Sequence, residues 1–189
     1  MPEDIQLGYK LPAVIASTLS GWITIFGSAA TVSGLLASVE TTLLVLYKTP
    51  GVPVASSERS HKAILVLTYT ALLFSISSTF SSLILADTFA ELPIRAASKP
   101  IGDVVQQGNI QLNSSRKILN SYGLPSSVGW IMFHWIGSLL IACFATVAQL
   151  VLFTFNNEPL AVKGPVLAIA IISLFPVLYF TANHIFGRG

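Results

Sequence analysis

Four apolar stretches divide the chain, at about 22–47, 63–85, 130–155 and 165–186, with polar or proline-containing segments between them. Each stretch is close to or above the ~20 residues that an α-helix needs to cross the hydrocarbon core of a bilayer. The pattern therefore predicts an all-α fold, namely a polytopic membrane protein. We expect a four-transmembrane-helix bundle that forms a single membrane domain over residues 1–189.

The third stretch, 130–155, contains no Asp, Glu, Lys or Arg, yet one face of the predicted helix is polar. His134, Ser138 and Gln149 recur on that face at helical spacing. A polar face inside lipid must meet other helices or water. We therefore expect this helix to pack against the rest of the chain through these three residues.

The first stretch carries a carboxylate, Glu40, inside its apolar run. Burial of a carboxylate is costly unless the group is paired, protonated or hydrated. Glu40 is therefore either an ion or proton site, or a group that reaches the interface or bonds a Ser or Thr. By depth along the helices, Gln149 lies level with Glu40, whereas His134 lies near the opposite face of the membrane. Gln149 is therefore a better contact candidate for Glu40 than His134 is, although Glu40 and His134 could still line one path. We expect the polar atoms of His134 to find partners at the interface.

The second stretch places hydroxyls on one helical face, at Ser75, Ser78 and Ser82. Hydroxyls in a membrane helix can bond carbonyls of their own helix, and small side chains let helices approach closely. Close packing is one interpretation of this face, and a hydrated pathway is the other.

The connection between the second and third stretches, residues 86–129, is long and partly charged. Its charged residues recur every four positions and would pair on a helix, although Pro93 and Pro100 interrupt the pattern. We predict a short interfacial helix or an ordered loop, and a second short helix over Ser114–Tyr122. Asn113 begins an N-x-S sequon and is a candidate glycosylation site. The charged residues are Asp87, Glu91, Arg95, Lys99 and Asp103.

Composition supports the membrane class, because 53% of the residues are hydrophobic and only 10% are charged. Soluble domains are usually about 25% charged. The net charge of +2 without a basic run gives no reason to expect nucleic acid as a partner. The single cysteine, Cys143, excludes an internal disulfide. We expect neither a metal site nor a cofactor.

The flanks of the first helix indicate an orientation. Glu3 and Asp4 precede it, and Lys48, Arg59 and Lys62 follow it in a short loop. Basic residues favour the cytoplasmic side, so the multi-pass chain is predicted to have its termini outside or lumenal. A count of basic residues over all loops favours the opposite orientation.

No zincin, nucleophile-elbow, phosphate-loop or dinucleotide-binding motif occurs in the sequence. No nucleophile–base pair is expected either, so an enzyme is the least favoured class. We expect a structural or interaction protein of the lipid bilayer, which self-associates or binds a protein partner through residues 86–129. The alternative is a small oligomeric transporter or channel that uses the polar faces of the first three helices.

Two segments carry a resemblance to known proteins: FSISSTFSSLILADTFAELPIRAA, at Phe74–Ala97, and WIMFHW, at Trp130–Trp135. Both resemble multi-span membrane proteins of mushroom-forming fungi for which no activity is assigned. The resemblance implies a fungal integral membrane protein. It implies no activity and no site residues.

Overall fold

The computed structural model describes residues 12–51, 54, 55, 57–97 and 124–186. These residues are helical apart from short connections, which confirms the predicted all-α class. The helices are α1 (Ala13–Lys48), α2 (Glu58–Ala90), α3 (Leu92–Ala97), α4 (Val128–Asn157) and α5 (Leu160–Phe186).

Among the described helices, α1, α2 and α4 are long and apolar enough to cross a membrane. They contain 36, 33 and 30 residues, against the ~20 that a bilayer core requires. In α5, the apolar segment Leu160–Pro176 is shorter than these three.

Helix α1 begins at Ala13, well before the predicted start at Trp22. The carbonyl of Pro12 accepts hydrogen bonds from the amides of Ile15 and Ala16, at 2.9 and 3.0 Å. The Thr18 hydroxyl donates to the Val14 carbonyl at 2.8 Å. Hydroxyls that bond their own helix in this way are compatible with helical backbone, so the serines and threonines of this segment do not delay the helix.

Helix α5 also begins earlier than predicted. The carbonyl of Pro159 accepts hydrogen bonds from the amides of Val162 and Lys163, at 2.9 and 3.3 Å, so the first turn starts at Leu160. Pro165 therefore lies inside the helix and not in its first turn, which corrects the sequence-based prediction.

The predicted short helix after the second stretch is confirmed in α3. Helix α2 continues to Ala90, beyond the predicted end at Leu85, and α3 follows one residue later. Pro93 lies in the first turn of α3, where its missing amide hydrogen leaves no helical bond unmade. Arg95 donates to Glu91 Oε2 through Nη2 at 2.7 Å, which is the predicted i,i+4 pairing. Lys99, Asp103, Asn113 and the segment Ser114–Tyr122 lie outside the described residues.

The chain divides into two compact units. The first comprises Met1–Gly34 and Ser77–Gly137, and the second comprises Leu35–Ile76 and Ser138–Gly189. Each of the helices α1, α2 and α4 therefore has one segment in the first unit and another in the second.

An aromatic cluster forms the core of the first unit. The Phe26 ring is fully buried and lies 5.1 Å from Phe89, 5.2 Å from Trp135 and 5.5 Å from Trp22, measured between ring centroids. The contacts to Phe89 and Trp135 are edge-to-face, the geometry that aromatic quadrupoles favour. These rings join α1, α2 and α4 within this unit.

Replacing Phe26 with leucine should lower the free energy of unfolding by about 1 kcal/mol, because the aromatic contacts are lost while most of the volume remains. Phe80 is a matched control, since it lies in the same unit and is 63% exposed. Unfolding by SDS titration in mixed micelles would measure both variants. Equal effects of Phe26→Leu and Phe80→Leu would contradict the importance of the cluster.

A smaller apolar cluster closes one end of the second unit. Tyr47, Val54 and Ile64 are buried there, and the Tyr47 ring lies 5.6 Å from Phe153. Asn157 donates through Nδ2 to the Val54 carbonyl at 2.8 Å, which ties the end of α4 to the connection after α1.

Candidate functional site

Glu40 is the centre of the buried polar contacts in the second unit. Its side chain is completely buried. Oε1 accepts a hydrogen bond from Thr146 Oγ1 at 2.7 Å, and Oε2 accepts one from Gln149 Nε2. The predicted contact between Glu40 and Gln149 is confirmed. Glu40 also bonds a threonine, as one of the expected arrangements has it, because α1 turns this residue towards α4.

The contacts continue from Gln149 to a third helix. Gln149 is also completely buried, and its Oε1 accepts a hydrogen bond from Thr68 Oγ1 on α2. Glu40, Thr68, Thr146 and Gln149 therefore link α1, α2 and α4, and we call these four residues the Glu40 network. Each threonine also contacts a carbonyl of its own helix, Ile64 for Thr68 at 2.8 Å and Ala142 for Thr146 at 2.9 Å.

The partners of Glu40 in this network are neutral. One is a hydroxyl and the other is an amide, and neither ion pair recorded among the described residues includes Glu40. Lys48, on the same helix, donates instead to the Tyr69 hydroxyl at 2.5 Å. The network therefore stabilises the carboxyl group through hydrogen bonds rather than through a basic partner.

Tyr47 lies seven residues beyond Glu40 and so on the same face of α1. Its side chain is 2% exposed, and its hydroxyl has no hydrogen-bond partner in the described part of the chain. Carboxyl, amide and hydroxyl oxygens are the ligands that hard cations take in proteins. No group of three or more His, Cys, Asp and Glu residues among those described could hold a metal ion.

The hydroxyl face of α2 is buried. Ser75, Ser78 and Ser82 are each completely buried, and Ser82 Oγ donates to the Ser78 carbonyl at 2.8 Å. On the first-unit part of α2, Thr79 Oγ1 also donates to Ser33 Oγ on α1 at 3.0 Å. The serines of this face are therefore buried within their units.

The polar face of α4 contributes to both units. Ser138 and Gln149 belong to the second unit, where Ser138 is 2% exposed, whereas His134 belongs to the first. His134 is exposed, and its Nε2 lies 2.9 Å from Ser77 Oγ on α2. The structure therefore brings a hydroxyl and an imidazole together, a contact that the sequence analysis did not predict.

Sequence reasoning did not single out three of the residues that complete these contacts, Thr68, Thr146 and Ser77. Thr146 lies three residues before Gln149 on the same face of α4, so a search for hydroxyls within one turn of Gln149 would have found it. Ser77 and His134 are 57 positions apart on different helices, and no motif spacing joins them.

The described residues form an all-helical protein whose long apolar helices are joined by buried hydrogen bonds. Three of the helices in this part of the chain could cross a membrane. Comparison with protein-family models, curated proteins and solved structures found no match.

Proposed function

We propose that the chain is an integral membrane protein of structural or interaction type, whose buried polar residues hold its helices together. The observation that carries this proposal is the Glu40 network. Its carboxyl, amide and hydroxyl groups bond one another across α1, α2 and α4, so each of these groups binds a neighbouring helix. In a membrane, such interhelical hydrogen bonds favour helix association.

The outer surfaces of the helices support insertion into a bilayer. Large apolar side chains stand exposed on every long helix, a pattern that lipid would cover and that water would not tolerate over such an area. On α5 the described apolar side chains are mostly exposed, and we propose α5 as the fourth span. Examples are Leu35, Leu73, Phe133, Ile172 and Phe175.

We propose that the connection after α2 binds a protein partner. The alternative is that the chain self-associates. The connection begins with α3, where the Glu91–Arg95 ion pair is about half exposed. The proposed orientation, with the termini outside or lumenal, places this connection on the same side as the termini.

A transporter or channel is the second candidate, and two observations favour it. In its recorded hydrogen bonds, both partners of Glu40 are neutral side chains. The buried hydroxyls of Tyr47 and Ser78 lack partners among the residues described, and water or a cation could satisfy them.

Cysteine accessibility separates these two functions. In a Cys143→Ala background, single cysteines replace Ser78, Ser138 or Ala145, all of which are buried. A membrane-impermeant thiol reagent is applied from each side of the membrane. Packed helices should leave all three unlabelled, while a control cysteine at the exposed Ser57 is labelled. Labelling of both the Ser138 and Ala145 positions would reject the packed interior and establish a hydrated path.

A further inference from the structure

The Ser77–His134 pair joins a hydroxyl of α2 to an imidazole of α4. Thr70, Ser82 and Thr88 each donate to a carbonyl one turn earlier in the same helix, at 2.7–2.8 Å. The hydrogen bond recorded for Ser77 instead joins its Oγ to His134 Nε2 on α4, at 2.9 Å. A hydroxyl held against an imidazole at this distance is the arrangement that activates serine nucleophiles.

We propose that Ser77 is a nucleophile and His134 its general base, in an acyl-transfer reaction on a fatty acyl ester. The pair works in the histidine tautomer with hydrogen on Nδ1, because Nε2 is then an acceptor for the Ser77 hydroxyl. This activity goes beyond the packing function proposed above and does not depend on the Glu40 network, which lies wholly in the second unit. Its substrate class rests on the proposed membrane setting.

The position of the pair selects an apolar substrate. Ser77 is partly exposed and His134 is exposed, whereas the neighbouring serines Ser78 and Ser82 are completely buried. The pair is therefore reached from the outer surface of the first unit, among side chains that are mostly apolar. In the proposed membrane setting, a substrate arriving from that surface comes from the lipid.

The aromatic residues beside His134 indicate which part of a lipid lies near the pair. Trp130 is 75% exposed, stacks on Phe133 at 6.2 Å between ring centroids, and precedes His134 by about 6 Å along α4. Exposed tryptophan is typical of the boundary between headgroups and acyl chains. Ester groups of membrane lipids lie at that boundary, which favours a lipid acyl ester as the substrate.

The reaction balances without a cofactor. Ser77 Oγ bonds to the acyl carbon as its proton passes to His134 Nε2, and the ester carbon–oxygen bond breaks as the leaving alcohol takes that proton. Water, or the hydroxyl of a second lipid, then attacks the acyl carbon with His134 again accepting the proton. The bond from that carbon to Ser77 Oγ breaks, and His134 returns the proton to Ser77 Oγ. The products are the free fatty acid or a transferred acyl ester, and Ser77 is regenerated.

An alkyl fluorophosphonate tests the nucleophile directly, because Ser77 Oγ would bond to its phosphorus and expel fluoride. The full chain in native membranes is treated with the probe, and the modified peptide is located by mass spectrometry. Wild type and the control Ser82→Ala should be labelled at Ser77, and Ser77→Ala should not. His134→Gln should slow labelling by about 100-fold or more, since general-base catalysis contributes at least that much.

Glutamine at position 134 separates catalysis from packing, because it can still hydrogen-bond Ser77 but cannot act as the base. Unchanged labelling of folded His134→Gln, persistent labelling of Ser77→Ala, or no labelling of folded wild type would overturn the proposal. A nitrophenyl palmitate assay tests the substrate class: wild type should release nitrophenol faster than Ser77→Ala, and equal rates would reject a fatty acyl ester.

Discussion

Replacing Glu40 with alanine should lower the free energy of unfolding by about 2–3 kcal/mol. The carboxyl group is completely buried and accepts hydrogen bonds from Thr146 and Gln149. Interhelical hydrogen bonds in membrane proteins contribute about 0.6 to 1.7 kcal/mol each, and the substitution also leaves the buried Gln149 Nε2 without its acceptor.

Glutamine at position 40 should cost much less, about 0.5 kcal/mol or below, because its amide can satisfy the same neighbours. Its oxygen can accept from Gln149 Nε2, and its nitrogen can donate to Thr146 Oγ1. Thr146 then donates to the Ala142 carbonyl, which already lies 2.9 Å from its hydroxyl. The comparison of alanine with glutamine therefore isolates hydrogen bonding from the volume of the side chain.

Unfolding by SDS titration in mixed micelles would measure these variants, with Thr41→Ala as the matched control. Thr41 is the next residue on α1, is exposed, and donates to the Ala37 carbonyl of its own helix at 2.9 Å. An effect of Glu40→Ala no larger than that of Thr41→Ala would show that the network contributes nothing to helix association.

The helical class could be predicted from the sequence because uninterrupted apolar length is a strong signal. The residues at which the helices begin and end were harder to predict. Ser17 and Thr18 weaken the apolar pattern, yet both bond to the Val14 carbonyl and so extend α1. At α5, the proline that directly precedes the first turn is Pro159 and not Pro165. Only the hydrogen bonds to the Pro159 carbonyl show which of the two prolines has this position.

The candidate site could be predicted where depth along a helix decides the contact. Alternating spans predict that Glu40 and Gln149 lie at the same level on parallel helices, and the structure joins the two residues by a hydrogen bond. The contact of Ser77 with His134 depends on how far α2 and α4 are rotated about their axes, which neither residue spacing nor composition determines. Side chains at helical spacing define a face, but the partner of that face follows from packing.

Replacing Gln149 with alanine should lower the free energy of unfolding by about 2–3 kcal/mol, because Gln149 makes one bond to each of two other helices. It donates to Glu40 on α1 and accepts from Thr68 on α2. Thr68 keeps the Ile64 carbonyl as an acceptor at 2.8 Å, so the greater loss falls on Glu40, whose Oε2 loses the donor recorded for it. The same SDS titration applies, with Thr154→Ala as the control, since Thr154 donates to the Leu150 carbonyl of its own helix.

A double-mutant cycle then tests whether the two residues act as one unit. The combined Glu40→Ala and Gln149→Ala variant should lose less stability than the sum of the single variants, by about 0.6–1.7 kcal/mol, because the bond between them can be lost only once. Strict additivity would mean that each side chain stabilises the helices independently of the other. The hydrogen bonds recorded around Glu40 would then not be what holds α1 to α4, and the proposed packing function would lose the observation on which it rests.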